Sequence, residues 1–208
     1  MDNVLGNDIK LVIEEVGEPI SVYNYETETW FPAKIDPERH WESRRPFENE
    51  YEVICTFPYD TVAKPGYIIN IPSDNTHYLL ASMVSEYFEG FIITKECFLY
   101  KCNTKFWLQR RNRDAGRDEN YKLINEWPTL YDAHYALFTF PIEHLFIHSE
   151  DHARFLDKKK HFMVSSFVDI KIGDKITVEI DNDPWTVEIV ESSRLKGVNF
   201  CQLGAFSG

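Results

Sequence analysis

KPGYIINIPSDNTHYLLASMVSEYFEGFIITKECFLYKCN, residues 64–103, decides the fold class. Pro65-Gly66 is a turn signal, and Tyr67-Ile68-Ile69-Asn70-Ile71 is a β-branched and aromatic run. Pro72-Ser73-Asp74-Asn75 is a second turn cluster, after which Tyr78-Leu79-Leu80 opens another strand. Beyond an acidic break from Glu86 to Gly90, Phe91-Ile92-Ile93-Thr94 and Cys97 to Cys102 read as two further extended runs. No helix of ordinary length fits between these breaks, so the stretch is expected to be β throughout.

Working outward, 208 residues suffice for one sizeable core or two small ones. Aromatic residues make up 15%, which with only 9 glycines tilts the composition toward sheet. The net charge of −12 argues against a surface that neutralises phosphates broadly, so only weak, non-specific contact with duplex DNA is expected. Cys55, Cys97, Cys102 and Cys201 sit in apolar runs without a C-x-x-C pair, which reads as buried reduced thiols and a reducing compartment. The polar opening Met1-Asp2-Asn3-Val4 does not read as a signal peptide, and no apolar run approaches a membrane span.

Upstream, residues 1–19 read as an arm or short strand centred on Ile9–Ile13. Ile20–Tyr25 and Trp30–Ile35 then form a hairpin. The loop from Asp36 to Glu50 carries Trp41, Arg44 and Arg45, the composition of an interface anchor, and Tyr51–Phe57 is another strand. Downstream, Phe106-Trp107-Leu108 continues the preceding strand to a polar tip, and Tyr121–Pro128 returns, giving a long hairpin over 98–127. Its tip holds Arg110, Arg111, Arg113 and Arg117, offset by Asp114, Asp118 and Glu119. Pro128–Pro141 fits neither period and reads as a loop with a short helix. His144, His148 and His152 would share one helix face as metal ligands, but Leu145-Phe146-Ile147 favours a strand, which would spread them over about 27 Å.

The C-terminal part alternates cleanly. Ile176, Val178 and Ile180, then Trp185, Val187 and Ile189, then Val198–Leu203 make a meander. It also echoes the opening stretch. Lys171-Ile172-Gly173 before a strand matches Lys64-Pro65-Gly66, and Trp185-Thr186-Val187 matches Tyr78-Leu79-Leu80. The fold expected is therefore mainly β, as one or two small β-barrel or sandwich subdomains of hairpins plus a meander, with long loops. The first subdomain would cover 20–127 and the second part 128–208.

The Gly turn, the strand, Tyr78-Leu79-Leu80, and Leu99-Tyr100-Lys101-Cys102-Asn103 after an aliphatic strand resemble head-to-tail connector proteins of tailed bacteriophages, the neck or stopper (head-closure) type. Lys159-Lys160-His161-Phe162-Met163-Val164 and the meander through Trp185-Thr186-Val187-Glu188-Ile189-Val190 resemble that group too, so the likeness covers 20–206. It implies a structural virion protein, assembled in the host cytoplasm, that forms a ring of its own copies. The ring would contact portal or adaptor proteins on one side and tail or tail-terminator proteins on the other. Packaged double-stranded DNA would pass its lumen without specific binding. It implies no membrane, no cofactor and no catalysis.

The chain lacks a P-loop, a dinucleotide-binding glycine motif, a nucleophile elbow and an EF-hand loop. Two alternatives remain at this level: a β-rich metal enzyme centred on His144, His148 and His152, and a carbohydrate- or peptide-binding module using Trp30, Trp41 and Trp107.

Overall fold

The computed structural model describes residues 3–38, 52–73, 75–112, 116, 119, 126–139 and 160–206. The chain divides into two compact units. The first comprises Met1–Cys102 with Ser165–Phe167 and Ser192–Val198, and the second comprises Asn103–Val164, Val168–Glu191 and Asn199–Gly208. The first division falls at Cys102–Asn103, so the strand after Asn103 belongs to the second unit.

The first unit opens on a helix, α1 (Val4–Val16), where the sequence suggested an arm or strand. Ile9, Leu11 and Ile13 alternate as a strand would, but Gly6, Ile9 and Ile13 recur at helical spacing and turn toward one side. Asn3 caps the helix by accepting from the Gly6 N–H at 3.1 Å. Gly17, in an extended conformation, ends it by donating its N–H to the Ile13 carbonyl. The helix packs on strands of a closed antiparallel barrel: β1 (Glu18–Asn24), β2 (Thr29–Glu38), β3 (Glu52–Pro58), β4 (Ile68–Ile71), β5 (Thr76–Phe88) and β6 (Phe91–Lys101), in the order β1-β2-β3-β6-β5-β4 with β4 closing on β1.

The alternation read from sequence fills this barrel. Val22, Ile35, Cys55, Phe57, Ile69, Leu80 and Cys97 are fully buried in one cluster, each large side chain contributing about 1.5–3 kcal/mol by leaving water. The acidic break shortens to the two-residue turn Glu89-Gly90, with φ of 50° and 85°, as a type I′ turn requires. The two extended runs after it are one strand, β6, paired with β5 from Phe88↔Phe91 down to Tyr78↔Lys101. Because β3 pairs with β6 only as far as Pro58↔Thr94, the end of the β5–β6 hairpin extends past its neighbour.

The second unit is another closed barrel. It is built from β7 (Thr104–Gln109), β8 (Thr129–Thr139), β9 (Lys160–Ser165), β10 (Lys175–Val178), β11 (Pro184–Leu195) and β12 (Val198–Ala205). The order is β10-β11-β12-β9-β8-β7, and β7 closes on β10. Read from β7, this is the arrangement of the first barrel. The expected loop or helix at 128–141 is corrected to β8. Ala133 at φ 55° and register shifts opposite Phe106–Gln109 break its alternation, so neither period shows in the sequence.

The internal repeat is visible in hydrogen bonds. Gly66 N–H donates to Leu80 O (2.7 Å), Leu80 N–H to Tyr67 O (2.9 Å) and Tyr67 N–H to Lys64 O (3.1 Å). Gly173 N–H donates to Val187 O (2.8 Å), Val187 N–H to Asp174 O (3.0 Å) and Asp174 N–H to Lys171 O (3.1 Å). Gly66 and Gly173 hold φ of 99° and 89°, the left-handed region in which a Cβ is costly.

Candidate functional site

Of the arginines singled out in the sequence, Arg110 is clearest. It follows β7, and its Nε and Nη2 donate to the two carboxylate oxygens of Asp174, both at 2.8 Å. Nη1 donates to Asp169 Oδ2 at 2.8 Å and Nη2 also to the Asp169 carbonyl. The Asp174 side chain is only 2% exposed and accepts a further bond from Lys171 N–H at 2.7 Å. The two-pronged hydrogen bond to Asp174 raises the Arg110 guanidinium pKa still further, and Arg110 holds the Asp169 carboxyl below its ordinary range. Arg110 is thus spent inside the second barrel, corresponding to Glu26 in the first, which accepts from Lys64 Nζ at 2.9 Å and Tyr67 Oη at 3.2 Å.

Arg111 is exposed, beside the isolated bridge Asn112↔Glu126. Arg113, Arg117, Trp41, Arg44, Arg45 and the histidines His144, His148 and His152 lie outside the described residues. Among the described residues no group of three His, Cys, Asp or Glu is placed to hold a metal ion. Trp30 is partly exposed but leans on Tyr23 and His77, and Trp107 is half-buried on β7. No helix among the described residues is long and apolar enough to cross a membrane.

Lys160 is likewise engaged within the second unit. Its Nζ lies 4.1 Å from the Trp185 ring centroid and 4.8 Å from that of Phe138, and pairs with Asp181 at 2.7 Å. Trp185 Nε1 donates to the same carboxylate at 3.2 Å. A small cleft of about 10 Å³ opens among β9, β11 and β12, with His161, Glu191, Cys201 and Gln202 on its wall, room for one water molecule. Burial lowers the His161 pKa and raises that of Cys201.

The first unit exposes several large apolar side chains. On α1, Leu5, Val12 and Val16 line one face at spacings of seven and four, flanked by Val4 and Leu11, and all five are exposed. At the hairpin tip Tyr87 is 66% and Phe88 51% exposed. Asn3 Nδ2 donates to Ile92 O at 2.7 Å, which brings the start of α1 to the β6 side of that tip. Glu86 and Glu89, both exposed, flank the two aromatics in sequence, so the tip is apolar with acidic neighbours. The sequence pointed to the charged loops and not here, because Tyr87 and Phe88 continue an alternating strand and α1 read as an arm.

Comparison with known proteins finds no matching family model, no matching curated protein and no matching solved structure.

Proposed function

We propose that this chain is a non-catalytic assembly protein of the neck of a tailed bacteriophage. It forms a ring between portal or adaptor and tail, surrounds the exit path of packaged DNA and docks the tail. The observation that carries the assembly reading is the apolar surface of the first unit, where α1 and the β5–β6 tip expose seven large hydrophobic side chains. A monomeric protein rarely leaves such groups together in water, and aromatic residues at a hairpin end are suited to act as anchors. The acidic neighbours favour a partner groove that is apolar inside and edged by Lys or Arg.

The neck, as the particular assembly, rests on the likeness over residues 20–206. The charge of the chain agrees with it: a net −12 repels phosphate and lets a duplex slide where counterion-releasing contacts would hold it. Of the two arginines described near the expected tip, Arg110 is neutralised by two aspartates, while Arg111 is exposed. Gradient-purified particles from cells producing this chain test the reading by peptide mass spectrometry. Recovery of the chain in the particle fraction, in copies per particle matching a single ring, is expected. Its confinement to the soluble fraction as a monomer would reject the proposal.

A further inference from the structure

Cys55 on β3 and Cys97 on β6 stand directly opposite each other in the first barrel. Both are 0% exposed and belong to the same cluster as Phe57, Leu80 and Leu99, so both side chains enter the interior from adjacent strands. Directly opposed residues of an antiparallel ladder have Cα atoms about 4.5 or 5.5 Å apart, depending on the type of pair. A disulfide spans Cα separations of about 4.4–6.8 Å, so either type of pair fits. Cys97 donates its thiol to the Lys95 carbonyl at 3.5 Å, a weak bond that a turn of χ1 would release. The other two cysteines have no such opposite: Cys102 follows the end of β6, and Cys201 is on β12 of the second unit. In sequence the pair is hidden, since 42 positions separate its members.

We infer that Cys55 and Cys97 are an oxidation site that closes into a cross-strand disulfide when the chain meets a disulfide oxidant such as oxidised glutathione. One cysteine, as its thiolate, attacks a sulfur of oxidised glutathione and expels one glutathione thiolate, which takes up the proton the cysteine lost. The second cysteine, as its thiolate, then attacks the protein sulfur of the mixed disulfide and expels the other glutathione. Two protein thiols are oxidised, and one oxidised glutathione becomes two reduced ones. The bond closes a loop containing all of β4 and β5, which removes conformational freedom from the unfolded chain. Because both sulfurs are buried, exchange in the folded barrel is slow in either direction. A chain folded in a reducing cytoplasm and then released to an oxidising medium would lock gradually and stay locked.

The test refolds the full reduced chain in a glutathione redox buffer, so that burial does not limit access, then alkylates and digests it with trypsin without reduction. The four cysteines fall in different peptides, Cys97 in Glu96–Lys101 and Cys102 in Cys102–Lys105. The expected product is a Cys55–Cys97 linked peptide lighter by two hydrogens, with Cys102 and Cys201 alkylated. A melting temperature roughly 10 °C above that of the reduced protein is expected as well. C55S and C97S should each abolish both the linked peptide and the oxidant-dependent rise, while C102S/C201S should keep them. Where refolding yield is low, long incubation of the folded chain with the same buffer in mild urea gives the same readout. A folded product with Cys55 and Cys97 both alkylated, or linked to other partners, overturns the inference.

Discussion

Arg110 shows how much one side chain can hold. Removing it leaves the Asp174 carboxylate, 2% exposed, with only a backbone N–H and no countercharge among the described residues. R110A should therefore cost about 3 kcal/mol in urea unfolding, and R110K should recover only part, because an ammonium cannot fork across two oxygens. Asp169 adds a pH signature. Its carboxyl is held low by Arg110 foremost, with burial opposing and Lys171 adding a lesser lowering. A depressed carboxyl contributes stability that is complete above its ordinary pKa near 4 and is lost as the pH falls through the folded value. The wild type should lose stability below about pH 4 more steeply than R110A. His161 has the opposite chemistry and the same direction. Burial lowers its pKa, so the folded imidazole stays neutral where the unfolded one takes up a proton. The stability from this source is complete above about pH 6.5 and drains as the pH falls below it. Urea midpoints between pH 7 and 5 should decline in the wild type and flatten in H161F.

At the level of elements, the turns do more than connect. Gly197, in the Ser192–Val198 segment of the first unit, lies so close to that unit's backbone that a Cβ there would meet Leu80 O, Gly66 N at 2.5 Å and Ala81 O at 2.7 Å. Its N–H donates to Ala81 O at 3.0 Å, and its carbonyl accepts from Ser166 N–H at 3.0 Å. G197A should cost about 2–3 kcal/mol or more, since no side chain can yield. G173A, at φ 89° with open space around the Cβ, should cost only about 1–2 kcal/mol. The β5–β6 tip should behave in reverse. Y87S/F88S removes exposed rings, so unfolding should change by less than about 0.5 kcal/mol while incorporation into particles drops sharply. Elements with clean period-two alternation were legible in sequence: β1–β2, β4–β5 and β10–β11 fall near where read, although β2 runs on to Glu38 in the expected loop, β5 runs through the expected acidic break to Phe88, and Ile180 lies past the end of β10. α1 was hidden because Ile9, Leu11 and Ile13 alternate as in a strand, while only Ile9 and Ile13 of the three share a helix face. β8 was hidden because a left-handed Ala133 and shifts in register scramble its faces.

For the whole molecule, the duplicated turn read at Gly66 and Gly173 proves to be the corner of two barrels with the same strand order. That much was legible because a Gly at positive φ before a strand is a local signal. The candidate surface was not, since it depends on α1 being a helix and on a hairpin end that extends past its neighbouring strand, and neither leaves a motif. Arg110 was read as a free basic tip for the same reason: its partners Asp169 and Asp174 are some sixty residues away in sequence. Cryo-electron microscopy of the connector isolated from particles tests the central proposal most directly. A ring of this chain with cyclic symmetry between portal and tail, with Tyr87, Phe88 and the α1 face buried against a neighbouring protein, is the expected map. A connector in which no density fits the two barrels, from particles that lack the chain, would contradict it.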